Sequence, residues 1–104
     1  MTPLINPTFM DLGLTIKNFR QQKGIKQNVL AEKCDISQTY LSQIESNSKE
    51  PNISTLRIIA KNLGIPLPVL FFMSLDEKDI KPEKRGAYKH IDASIKSMLS
   101  EFFT

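Results

Sequence analysis

Apolar residues recur at helical spacing along most of the chain, and nowhere do they alternate with period two for long enough to make a strand. Leu12, Ile16 and Phe19 mark a first helix, which Gly24 stops. Val29, Leu30, Ala31 and Cys34 mark a second, broken by Asp35-Ile36-Ser37. The Ser37 hydroxyl is placed to cap a third helix, in which Leu41 and Ile44 point inward. A polar loop covers residues 46–51. Asn52 then caps a fourth helix with Leu56, Ile59, Ala60 and Leu63 inward, and Gly64 ends it by accepting the left-handed conformation. Residues 67–73 form a short, very apolar fifth helix. The pattern predicts an all-α zone over residues 12–73. Residues 1–11, with Pro3 and Pro7, read as an irregular arm.

Beyond a polar linker at residues 74–81, Pro82 suits the first turn of a sixth helix running to about Phe103, within a segment 82–104. Tyr88, Ile91, Ile95, Met98 and Phe102 are spaced 3, 4, 3, 4, which is a heptad seam. Leu99 and Phe103 widen its apolar face. This helix can pair with its copy as a dimerisation element, or fold back over Leu70, Phe71 and Phe72 of its own domain. Gly86 weakens its first turns by up to about 1 kcal/mol relative to Ala. His90 falls on the polar face.

Composition narrows the class. The 104 residues suit one domain with a short appendage and are too few for two full cores. One Cys and one His allow no intramolecular disulfide and make a structural metal site unexpected; Cys34 is most simply a small core residue. No run approaches 18 apolar residues, so no membrane span is expected, and the first ten residues lack the pattern of a secretory signal. A cytoplasmic protein is the expectation. No catalytic set is evident: there is no glycine-rich phosphate loop and no paired carboxylates on one predicted face. No enzyme activity and no cofactor are therefore expected.

Charge is local. Residues 12–73 carry eight bases against four acids, a difference of +4, whereas six bases meet six acids from residue 74 onward. A partner bearing phosphates would dock on the middle zone. Within it, residues 27–45 read QNVLAEKCDISQTYLSQIE. Ala31 is small where two helices would cross, and a turn of about three residues forces a steep crossing. One face of the second of these helices is left outward: Gln38, Thr39, Tyr40, Ser42 and Gln43. Such hydrogen-bonding, nearly uncharged residues suit base edges in a major groove. A plain solvated face has the same composition, so the reading leans on the positive charge and the tight two-helix geometry.

The chain resembles the Cro/cI-type (XRE, phage-repressor-like) helix-turn-helix family over residues 14–71. The resemblance rests on Ile16, Phe19-Arg20, Lys23-Gly24, Gln27, Leu30-Ala31, Ile36-Ser37, Leu41, Ile44-Glu45, Pro51, Leu56, Ala60 and Leu63-Gly64-Ile65. It implies a bundle of five short helices, here followed by a C-terminal amphipathic helix, that binds double-stranded DNA, usually as a dimer. It implies base contacts from Gln38, Thr39 and Gln43, flanked by Tyr40 and Ser42. It implies phosphate contacts from Gln27, Asn47 and Lys49, and a structural ion pair between Arg20 and Glu45. Two positions depart from the family pattern: Asp35 and Asn47 stand where glycine is usual. Both residue types tolerate positive φ better than other side chains do.

The function expected from these features is a sequence-specific transcriptional regulator, a repressor acting as a homodimer on an inverted repeat. The alternative is an antitoxin whose C-terminal helix binds a toxin partner. A protein-interaction module using the same fold without DNA also stands open.

Overall fold

A computed structural model describes residues 11–103. Within them the elements are α1 (Leu12–Gln22), α2 (Gln27–Lys33), α3 (Gln38–Glu45), α4 (Ile53–Leu63), α5 (Leu67–Ser74), two 3-10 turns at Glu77–Asp79 and Pro82–Lys84, and α6 (Arg85–Phe103). The expected all-α architecture of five short helices plus a C-terminal helix is the architecture observed. Of the expected arm, residues 1–10 lie outside the described residues. Asp11 belongs to α1 as its N-cap, its carboxylate accepting the Leu14 N–H.

The helix boundaries follow from local chemistry. Ser37 Oγ accepts the Tyr40 N–H at 3.0 Å and starts α3. Asn52 Oδ1 accepts the Thr55 N–H at 2.8 Å and starts α4. Gly64, at φ 74°, closes α4 while Ile65 N–H reaches back to the Ala60 carbonyl. Asp35 and Asn47 stand at φ 57° and 63°, the left-handed conformation their residue types tolerate. α5 runs one residue past its expected end, and Ser74 is buried with its hydroxyl donating to Phe71 O. The linker is correspondingly shorter.

α1 packs on α3 and α5, α2 on α3 and α4, and α4 on α5. Among the described residues, Ile16, Leu30, Leu41, Ile44, Ile59, Leu63 and Leu70 are the largest fully buried side chains, with Phe19, Leu56 and Ile65 buried around them. Cys34 is buried beside them, and burial pushes its thiol up from its ordinary range.

The tail departs from the simple seam. A 3-10 turn at Pro82–Lys84 precedes α6, which begins at Arg85. α6 folds back along the two 3-10 turns, and Phe103 reaches the core cluster. Lys96 Nζ donates to Leu75 O at 2.8 Å and pairs with Asp92 at 3.1 Å; Arg85 Nε donates to Ile80 O at 3.0 Å. Burial, and then the Asp92 carboxylate one turn on, raise the pKa of the Tyr88 phenol. The five seam residues are thereby divided. Tyr88 and Ile95 are half-buried, while Ile91, Met98 and Phe102 are 52%, 50% and 73% exposed. Heptad spacing places all five on one broad face. The fold-back covers only one edge of that face.

Candidate nucleic-acid interface

The corner between α2 and α3 is set by residues 34–37. Ile36 N–H bonds to Ala31 O at 3.0 Å and Asp35 N–H to Glu32 O at 3.1 Å, so the chain reverses within one turn of leaving α2. Leu41 and Ile44 anchor the inner side of α3. Its outer side presents Gln38, Thr39 and Ser42 exposed, with Gln43 half-buried at the edge. Tyr40 is half-buried and packs against the core cluster, so much of its ring is held by the domain.

Behind that face lies a polar chain. Arg20 meets Glu45 at two points, Nε to Oε2 at 2.7 Å and Nη2 to Oε1 at 3.0 Å, and its Nη1 donates to Ile25 O at 2.9 Å. Both residues are buried. Gln27 Nε2 donates to Glu45 Oε1 at 3.0 Å, and Gln38 Nε2 donates to Gln27 Oε1 at 3.3 Å. The expected ion pair is present, and it continues to the first residue of α3. Two residues expected at DNA, Gln27 and Gln38, are thus oriented by one buried carboxylate.

The other end of α3 is also tied down. Asn47 Oδ1 accepts the Gly13 N–H at 3.0 Å, and Asn47 Nδ2 donates to Asp11 Oδ1 at 2.7 Å. The Asn47 side chain is therefore turned onto the start of α1, whereas Lys49 is exposed. A shallow groove between α2 and α3 is lined by Asn28, Glu32, Asp35, Ser37 and Gln38. Its two carboxylates disfavour a phosphate there, which leaves Gln27 and the 46–50 loop to flank the face.

Sequence patterning did not single out Gly13. A Cβ on Gly13 would collide with the Ile44 carbonyl and lie 2.6 Å from Asn47 Oδ1 and 2.7 Å from Glu45 O. α1 and the end of α3 approach this closely only because residue 13 has no side chain. A glycine in the first turn of a helix was the only signal available. Asp11 carried a clearer one, an acid just ahead of an apolar-periodic run.

Among the described residues, no group of three or more His, Cys, Asp or Glu gathers to hold a metal ion. No single described helix is long and apolar enough to cross a membrane.

A short corner, a buried ion pair behind it and an outward polar helix define a helix-turn-helix DNA-binding protein. The helix-turn-helix family profile matches residues 16–70, and the chain belongs to that family, in its Cro/cI (XRE) type. It is 31% identical over 97 residues to the immunity repressor protein of Bacillus phage phi105, across 82% of this chain and 67% of that one. Two solved structures are similar as well. The clp gene regulator ClgR from C. glutamicum matches with a TM-score of 0.62 at 29% identity, covering 70% of this chain and 91% of its own. The biofilm master regulator SinR, solved in complex with DNA, matches with a TM-score of 0.54 at 35% identity, covering 57% and 95%. The chain is a DNA-binding transcriptional regulator.

Proposed function

We propose that the protein represses transcription in the cytoplasm as a homodimer on an inverted-repeat operator. The observation that carries this reading is the outer face of α3: Gln38, Thr39, Ser42 and Gln43 stand together on a helix whose two ends are fixed by hydrogen bonds to other helices. A rigid, uncharged, hydrogen-bonding face suits base edges, with Gln38, Thr39 and Gln43 as the readers. Gln27 and Lys49 contact phosphates on either side, and Asn47 shapes the loop that carries Lys49. The +4 charge of residues 12–73, doubled in a dimer, favours the duplex.

Pairing runs through the open edge of α6, where Ile91, Met98 and Phe102 form an apolar strip bordered by Tyr88 and Ile95. The repressor name of the phi105 relative supports repression as the outcome. Selection of bound sequences from a random-sequence duplex library tests the reading. Enrichment of an inverted repeat, with half-sites about 34 Å or one helical turn apart, is expected. A pool that enriches no sequence would sink it.

A further inference from the structure

Loop 46–50 leaves α3 by winding back on its own helix. The Gln43 carbonyl accepts Ser48 N–H at 2.9 Å and Lys49 N–H at 3.1 Å, and the Ser46 and Ser48 hydroxyls each lie 3.2 Å from it. This winding depends on Asn47 at φ 63°, a conformation that side chains disfavour. What holds Asn47 there lies 36 residues earlier in the chain: Asp11 Oδ1, at 2.7 Å from Asn47 Nδ2. The same oxygen accepts Leu14 N–H at 3.1 Å, while Asp11 N–H is bonded to Ser74 O at 3.1 Å. Asp11 is thus fixed to α1 and α5 before it meets the loop. Together with Gly13 N–H on Asn47 Oδ1, it clasps both ends of one side-chain amide.

We propose that Asp11 is a positioning residue for DNA binding: its carboxylate, through Asn47, holds loop 46–50 in the shape that presents Lys49 to a phosphate. Asp11 would repel a phosphate if it touched one, so its contribution passes through Asn47. The inference rests on the proposed role of this loop at the DNA backbone.

Two charge-matched variants isolate the clasp. Asp11→Asn keeps an oxygen at the Oδ1 position. Asp11→Ser keeps a helix cap but falls short of Asn47. A third variant, Asn47→Gly, keeps the left-handed backbone without the amide. Binding of the full chain to a fixed mixed-sequence duplex is measured across a salt series, with thermal unfolding alongside. Asp11→Asn is expected to bind at least as tightly as wild type. Asp11→Ser should bind several-fold more weakly than Asp11→Asn, with the log–log salt slope reduced by about one contact per bound chain. Asn47→Gly should show the same loss, and the Asp11→Ser/Asn47→Gly double variant should be no worse than either single change. Asp11→Ser and Asn47→Gly binding with unaltered slope and affinity overturns this inference alone. Losses that add in the double variant also overturn it, because they make the two residues independent. Wild-type protein without salt-dependent binding overturns the functional reading and this inference together.

Discussion

Arg20 and Glu45, on α1 and α3, form a two-point ion pair with N–O distances of 2.7 and 3.0 Å, and both side chains are almost sealed from water. Glu45 Oε1 also accepts the Gln27 amide at 3.0 Å, so one carboxylate joins three helices. The pair fixes how α3 sits on the domain, and the Gln27–Gln38 bond carries that order to the edge of the reading face.

Removing one partner should therefore be expensive. Arg20→Met leaves the Glu45 carboxylate buried without its cation, and a loss of about 3–5 kcal/mol is expected. Urea denaturation at neutral pH measures it. A loss below about 1 kcal/mol would mean that water solvates Glu45 more freely than its burial indicates.

Two glycines should respond in opposite directions to the same substitution. Gly13→Ala drives a Cβ into the Ile44 carbonyl and toward Asn47, and should destabilise by about 1–3 kcal/mol. Gly86→Ala meets nothing within 4 Å in the first turn of α6, and should stabilise by a few tenths to about 1 kcal/mol. Thermal and denaturant midpoints of both variants give the sign directly.

The open edge of α6 should decide assembly. Ile91→Lys with Met98→Lys places two charges on exposed positions, leaving the half-buried edge of α6 untouched. Helix content by circular dichroism should hold. Sedimentation should show dimer affinity reduced at least tenfold, which corresponds to about 1.4 kcal/mol. Unchanged association would remove α6 as the pairing surface.

The domain itself was legible in the sequence because its signals are local. Ser37 and Asn52 cap the helices they precede and Gly64 closes α4; the positive φ of Asp35 and Asn47 was read from resemblance to a family that usually has glycine at both positions. The Arg20–Glu45 pair was read from family resemblance, and the geometry matches it. What the sequence could not give is tertiary. Heptad spacing groups Tyr88, Ile91, Ile95, Met98 and Phe102, but the fold-back through residues 75–84 decides which edge is covered. The tie from Gly13 to Asn47 joins residues 34 apart, and nothing in either segment alone announces it. For the same reason Asn47, expected to meet a phosphate, has its amide turned onto α1.

The central claim is that the uncharged outer face of α3 reads sequence. The most direct test is the ratio of affinities for the selected duplex and a scrambled duplex, at one fixed salt concentration, for wild type and for Gln38→Ala with Gln43→Ala. Wild type should prefer the selected duplex by about 10³-fold or more. The double variant should lose about 1–3 kcal/mol of that preference for each base contact removed, while its affinity for scrambled DNA and its thermal midpoint change far less, because the substitution costs the fold only the exposed Gln38–Gln27 bond. A preference that survives both substitutions would contradict the account and place the reading elsewhere on the protein.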